Sequence, residues 1–181
     1  MRKIIVYIAT SADGYIARPD GDVSWLELPK SAGDHGMGAF FKTIDSVIMG
    51  RKTYDVVLKF GVESYEGKKN YVFSRKPRTT TKVEFVNQDV RKFAERLRKG
   101  RNAKDIWLVG GAELIKAFLD AGQVDKFIIH VIPVFIGKGI PLISPSRRLD
   151  RLKLLSSRRY VDGVVRLEYQ VQKARSKPSR K

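Results

Sequence analysis

Two stretches of the chain carry residues suited to chemistry on an anion. Met49-Gly50-Arg51-Lys52-Thr53-Tyr54 and Trp107-Leu108-Val109-Gly110-Gly111-Ala112-Glu113-Leu114 each pass from apolar, strand-like residues into glycine where a helix begins. A helix N-terminus offers unpaired N–H donors and partial positive charge, and glycine lets the backbone come close to a phosphate. Arg51 and Lys52 add charge beside the first junction. One such junction is often a plain turn. Two in order can bracket a phosphorylated cofactor.

An alternation of strands and helices must hold these junctions. Residues 2–10 form a β-rich run, which Ser11-Ala12-Asp13-Gly14 breaks into a long polar loop carrying Pro19-Asp20-Gly21 before Trp25 and Leu26. The pattern predicts a helix over about 34–43, a strand over 45–50, a helix over 51–59 and a strand over 69–74. A strand over 83–87, a helix capped by Asn87 or Asp89 and reaching about 99, a strand over 105–109 and a helix over 112–121 follow. Val124 to Val134 is nearly continuous apolar sequence, and the strand from Phe127 to Phe135 is either a buried central strand or part of a subunit interface. Strands over 151–160 and 164–172 close as a hairpin around Asp162-Gly163. These elements predict a three-layer α/β/α sandwich, mainly parallel in its central sheet, with an antiparallel C-terminal edge.

With 181 residues, 43% hydrophobic and 10% aromatic, the chain is expected to form one domain over 1–172, with a disordered basic tail over 173–181. It has no cysteine and only two histidines, His35 and His130, so thiolate chemistry is excluded and no metal site is expected. The apolar run after Met1-Arg2-Lys3 is too short for a signal-peptide core or a membrane span, which leads to the expectation of a cytoplasmic protein without membrane contact. The net charge of +17 invites a nucleic-acid reading. Its distribution argues against specific nucleic-acid binding: Lys173, Arg175, Lys177, Arg180 and Lys181 lie in the tail, much of the rest reads as a solvated helix face, and no aromatic-interleaved basic stripe is present.

On four ordered blocks the chain resembles the dihydrofolate reductase-like superfamily, and in its second half the reductase domain of riboflavin biosynthesis. Ala9-Thr10-Ser11-Ala12-Asp13-Gly14-Tyr15-Ile16-Ala17 is similar to the loop after the first strand, and Met49 to Tyr54 to the pyrophosphate and 2′-phosphate segment. Asn70-Tyr71-Val72-Phe73-Ser74-Arg75 is similar to the strand ending at the cofactor ribose phosphate. Val109 to Leu114, Ala117-Phe118-Leu119, Val124-Asp125-Lys126 and Pro133-Val134-Phe135-Ile136-Gly137 follow the riboflavin-type pattern.

The resemblance implies NADPH as hydride donor, a small heterocyclic acceptor of pteridine or pyrimidine kind, and a homodimer. The implied cofactor contacts are Ala9 and Ile16 at the nicotinamide, Gly50, Arg51, Lys52 and Thr53 at one junction, and Val109, Gly110, Gly111, Ala112, Glu113 and Leu114 at the other. Arg51, Ser74 and Arg75 can converge on a 2′-phosphate that NADH lacks; Ser74 and Arg75 read otherwise as a turn before Pro77. Tyr7, Trp25, Leu26, Phe40, Phe41 and Val57 are placed around the acceptor, with one of the two phenylalanines expected in the core. The proton source is water, Asp34, Asp13, His35 or Tyr7; Asp34 is otherwise a helix cap and Asp13 the holder of its turn.

The chain also departs from both family patterns. Met37 stands where dihydrofolate reductases place an acid, and Ile129 falls near their hydroxyl partner. Tyr7 and Tyr15 replace lysines of the riboflavin type, and Val109 replaces an acid. A true folate or riboflavin enzyme, reducing dihydrofolate or 5-amino-6-(5-phosphoribosylamino)uracil, and a non-catalytic nucleotide- or nucleic-acid-binding protein are the alternatives.

Overall fold

The run Ile4-Ile5-Val6-Tyr7-Ile8 is apolar on both faces because both are covered, and it forms the core of strand β1 (Ile4–Ser11). In the computed structural model, which describes residues 1–27, 33–76, 78, 80–100, 103–147 and 149–172, β1 lies inside an eight-stranded sheet. In chain order the elements are β2 (Tyr15–Ala17), α1 (Met37–Thr43), β3 (Ile44–Gly50), α2 (Arg51–Lys59), β4 (Lys69–Phe73) and β5 (Glu84–Val86). They continue with α3 (Val90–Arg98), β6 (Asp105–Gly110), α4 (Ala112–Asp120), β7 (Lys126–Ile132), β8 (Ile140–Pro141), β9 (Leu152–Arg159) and β10 (Val165–Val171). The strand order is β5-β4-β3-β6-β1-β7-β10-β9; the first six run parallel and the last hairpin is antiparallel.

Helices cover both faces. Phe40 of α1 and Tyr54 of α2 pack on one face with Tyr7, Val47, Met49, Val72 and Trp107. Phe93, Ala94 and Leu97 of α3 and Ile115, Phe118 and Leu119 of α4 pack on the other with Val6, Ile48, Ile106 and Leu108. Each large side chain buried here contributes about 1.5–3 kcal/mol from removal of apolar surface. The three-layer α/β/α sandwich with an antiparallel C-terminal edge is therefore present.

The differences from the sequence expectations have local causes. Helix α1 begins at Met37, not near 34, because the Asp34 carboxylate takes the Gly36 and Gly38 N–H groups and Gly36 sits at φ +87. The two-stranded ribbon β2–β8 went unread because elements this short have no periodicity; it needs glycine at 139, where a Cβ would lie 2.2 Å from the Ala17 carbonyl oxygen. Strand β7 is the buried central strand of the two alternatives, paired with β1 and β10. The tail over 173–181 lies outside the described residues. No described helix is long and apolar enough to cross a membrane.

Candidate active site

Strands β3 and β6 are parallel neighbours, with Met49 paired to Gly110, so the two glycine junctions meet at one sheet edge. A Cβ on Gly50 would lie 3.7 Å from the Gly110 carbonyl oxygen and 3.8 Å from the Gly111 nitrogen. A Cβ on Gly111 would lie 3.3 Å from Thr53 Oγ1, and Gly110 holds φ +128, where a side chain is strained. Helices α2 and α4 start at Gly50 and Gly111 without a side-chain cap. Helix α3, by contrast, has its Lys92 N–H donated to the Asp89 carboxylate. Two uncapped helix starts thus face a common notch whose space a side chain would fill, an arrangement suited to a pyrophosphate.

Gly50 pairs with Phe73, so Ser74 and Arg75 leave β4 beside the start of α2. Arg75 is exposed, while the Ser74 hydroxyl donates to the Lys76 carbonyl and accepts the Lys76 N–H. Arg51 donates to Asp55 at 2.6 Å, and Arg78, which the sequence reading left out, donates to the same carboxylate at 3.1 Å. Three guanidinium groups therefore stand near one helix start. Lys52 and Glu113 are exposed, Ala112 is buried, and Val109 and Leu114 pack into opposite faces of the core. The glycine notch and the neighbouring guanidinium groups suit a phosphate, whereas Val109, Ala112 and Leu114, assigned to the cofactor, belong to the core.

On the same sheet edge, β1 and β7 form a second feature. Ala9 pairs with His130, so Tyr7, Ala9, His130 and Ile132 share one face. With Leu26, Asp34, His35, Met37 and Val164 they line a cavity of about 310 Å³. The His35 carbonyl accepts from the Tyr160 hydroxyl at 2.9 Å and from His130 Nε2 at 3.2 Å. His35 Nε2 lies 2.6 Å from the Asp162 carboxylate, which is 6% exposed. The turn of the last hairpin is thereby stitched to the segment before α1. Burial pushes the Tyr7 phenol up to about 12, partly offset by the Arg166 guanidinium, and pushes the His130 imidazole down to about 4.

Several residues assigned to the acceptor stand elsewhere. Trp25, 2% exposed, packs on Ile132 and Val164 outside the cavity lining, because its ring fills the gap between the first loop and the sheet. Phe40 stacks on Tyr7 at 4.4 Å and meets Trp107 edge-on, which makes it the core support of Tyr7 and not a wall. Phe41 packs on Tyr65 with the Lys68 ammonium 4.3 Å over its ring. Val57 is half-buried on α2 and does not line the cavity; Ile16, assigned to the nicotinamide and not to the acceptor, is half-buried on β2 and also lies outside the lining.

The two candidate acids have structural partners. Asp34 lines the cavity, but the Gly38 and Gly36 N–H groups hold its carboxyl below the usual carboxylate range, which makes it a poor proton donor. Asp13 is held low by the Ser11 hydroxyl and by the Gly137 and Ile136 N–H groups, and its carboxylate ties the first loop to the segment after β7, while the turn itself is closed by the Gly14 N–H donating to the Ser11 carbonyl. The β1–β7 register puts His130, not Ile129, on the cavity side. His130, Ile132, Tyr160, Asp162 and Val164, with Arg78, are residues of the site that sequence reasoning missed, and Met37 was read only as a departure from the folate pattern. Period-two alternation places His130 on one strand face, but which face meets Tyr7 depends on a register between distant segments.

The family model described as the RibD C-terminal domain matches residues 2–166, and the chain belongs to that family. Uncharacterized protein YwjB of Bacillus subtilis (strain 168) is 39% identical over 166 residues, covering 90% of this chain and 95% of that protein. A candidate riboflavin biosynthesis protein from Shewanella sp. PV-4 superposes with TM-score 0.83 at 28% identity, over 94% of this chain and 99% of its own. RibD of Acinetobacter baumannii shares the fold, with TM-score 0.70 at 20% identity; 95% of this chain covers 58% of that longer one. The fold is therefore reductase-like, with the mainly parallel sheet and antiparallel addition of these relatives.

Proposed function

We propose that this member of the RibD C-terminal domain family is an NADPH-dependent oxidoreductase that reduces a small heterocyclic acceptor of pteridine or pyrimidine kind. One observation carries the reading: the uncapped, glycine-lined starts of α2 and α4 share a sheet edge with the Tyr7–His130 cavity. Donor and acceptor sites so arranged suit ligand binding beyond the carboxyl ends of parallel strands. When bound, NADPH supplies the hydride.

The protein's own residues do the remaining work. Gly50, Gly110 and Gly111 admit the pyrophosphate to the two helix starts, and Thr53 stands beside the notch. Arg75, Ser74 and Arg51 favour a 2′-phosphate, and the exposed Arg51–Asp55 pair is weak enough to reorganise around one. Ala9, Leu26 and Met37 line the cavity with apolar groups that help exclude water. Tyr7 in place of the riboflavin-type lysine and Met37 in place of the folate-type acid favour a different acceptor from either pathway substrate. A role in NADPH turnover fits a cytoplasmic enzyme.

A homodimer is part of the proposal. Strand β9 is exposed along its whole length at the sheet edge, and Leu152, Leu154 and Leu155 are 43%, 52% and 50% exposed. These leucines offer an apolar surface to a second copy, beside the cations Lys153, Arg158 and Arg159 of the same strand. Light scattering at micromolar concentration is expected to give twice the monomer mass; a monomer removes this part of the reading.

The test of the main reading is a side-by-side titration with NADPH and NADH, followed through Trp107 and Trp25 fluorescence and the nicotinamide signal. Tight, NADPH-selective binding is expected. No binding of either nucleotide overturns the proposal.

A further inference from the structure

Hydrogen bonding around His130 decides where the Tyr7 hydroxyl points. The His35 carbonyl oxygen can only accept, and His130 Nε2 lies 3.2 Å from it, so Nε2 carries the imidazole hydrogen. That one hydrogen points to the carbonyl or is shared with Tyr7 Oη at 3.4 Å, and in either case Nε2 offers no lone pair to which the Tyr7 hydroxyl could donate. The Tyr7 hydrogen then has no acceptor among the described residues and is left to the cavity that Tyr7 lines. The ring is held in this position: Phe40 stacks on it at 4.4 Å, Trp107 meets it edge-on at 6.3 Å, and the Trp107 indole N–H donates to the Tyr7 carbonyl at 2.9 Å.

We propose that Tyr7 is a catalytic residue whose hydroxyl binds and protonates the oxygen or nitrogen of a C=O or C=N group in the hydride acceptor, with His130 as the positioning residue that orients it. The assignment deepens the reductase reading and rests on it for the chemistry, while the hydrogen-bond arrangement stands independently. The step balances as follows. Hydride brings an electron pair to the carbon, and the π pair moves to the heteroatom. That atom takes the Tyr7 proton as the phenolic O–H bond breaks, and the phenolate regains a proton from water. One hydride and one proton are added, giving a C–OH or C–NH product.

The surroundings suit this role. With the phenol raised and the imidazole lowered by burial, Tyr7 keeps its hydrogen and His130 stays neutral across the physiological range. The Arg166 guanidinium, whose Nη1 approaches within 3.4 Å of the Cβ position on Gly36 and which is ion-paired with Glu168, favours a transient phenolate, while Tyr160, Asp34 and Glu168 act against it. The substrate class that follows is a molecule with an accepting heteroatom at the reducible bond.

Two measurements test the assignment. Nitrogen-15 NMR of the imidazoles is uncluttered, because the chain has two histidines and His35→Gln assigns them. His130 is expected as the neutral Nε2–H tautomer; an Nδ1–H tautomer overturns the proposal, since Tyr7 would then donate to Nε2. In the second, wild type and Tyr7→Phe are compared for NADPH oxidation with pterins, pyrimidinones, quinoxalines and cyclic 1,2-diketones. The variant is expected to lose about a hundredfold in kcat, with NADPH Kd changed by less than about twofold. Retention of kcat within about threefold overturns the role of Tyr7 alone. A wild-type protein that oxidises NADPH with no acceptor overturns the reductase reading and the Tyr7 assignment with it.

Discussion

At the β3–β6 edge, the candidate phosphate site is made of sequence neighbours: Gly50 to Thr53 from one junction and Gly110 to Leu114 from the other, each a strand end followed by a helix start. At the β1–β7 edge, the cavity is made of side chains brought from far apart, with His35 bound to Asp162 and its carbonyl to Tyr160 and His130. The first region works through backbone N–H groups and the absence of side chains. The second works through the orientation of a few buried polar groups.

The contrast is broken most severely by giving the backbone region a side chain. Gly110→Val puts a β-branched residue at φ +128 and is expected to lower NADPH affinity more than about a hundredfold, with a stability loss of about 1–3 kcal/mol. Nucleotide titration and thermal unfolding check both; normal binding would show that this backbone does not shape the site.

The next effect belongs to the side-chain region. His130 is lowered from 6.5 to about 4 by burial, with Arg166 and His35 acting in the same direction and Glu168 and the His35 carbonyl opposing it. Between these values the unfolded chain binds a proton that the folded chain does not. The stability associated with the neutral imidazole is therefore whole above pH 6.5 and falls as pH drops toward 4, by up to about 1.4 kcal/mol per pH unit. Denaturant titrations from pH 7 to pH 4.5 are expected to show this slope in wild type and a flatter one in His130→Gln. Equal slopes would locate the pH dependence elsewhere.

Gly50→Ala sharpens the comparison because its Cβ would have ordinary contact distances of 3.7 to 4.0 Å and an unremarkable φ of −79. It is expected to fold with nearly wild-type stability and to bind NADPH about tenfold more weakly. Asp162→Asn acts on the other region alone: turnover is expected to fall about fivefold with NADPH Kd unchanged, as the charge-assisted bond to His35 is lost. A changed Kd would mean that the two regions are coupled. The smallest effect is in nucleotide choice. Arg75→Ala is expected to narrow the NADPH preference over NADH by about fivefold and Arg51→Ala by less, because Arg51 is shared with Asp55. Unchanged selectivity in both would remove the 2′-phosphate assignment.

The two regions also differed in how far the sequence could be read. Helix α2 falls over the expected span, and the expected Asp89 cap of α3 is present, because propensity and capping are local. The meeting of Gly50 with Gly111 follows from two strand-to-helix junctions on adjacent parallel strands. Trp25 and Phe40 were read as acceptor walls because aromatic type alone does not say which way a ring faces. Their burial depends on partners such as Val164 and Trp107 that lie far away in sequence. His130 was passed over for the same reason: its significance lies in pairing with Ala9 and in the carbonyl of His35, and neither can be read from residues near position 130.

The stitch between His35 and the final hairpin has a consequence for synthesis. Both glycine junctions, and the strands that carry them, lie within residues 44–120, whereas Tyr160, Asp162 and Val164 are among the last described residues of the chain. Ordering the acceptor wall requires closure of a loop of more than a hundred residues, the kind of contact that forms late. A nascent chain paused before the hairpin emerges would have the elements of a nucleotide cradle but no finished chamber beside it. On the proposed function the acceptor chamber is the last part to be completed, and shortening the chain into β10 would also uncover β7 and take Tyr169 and Val171 from the core.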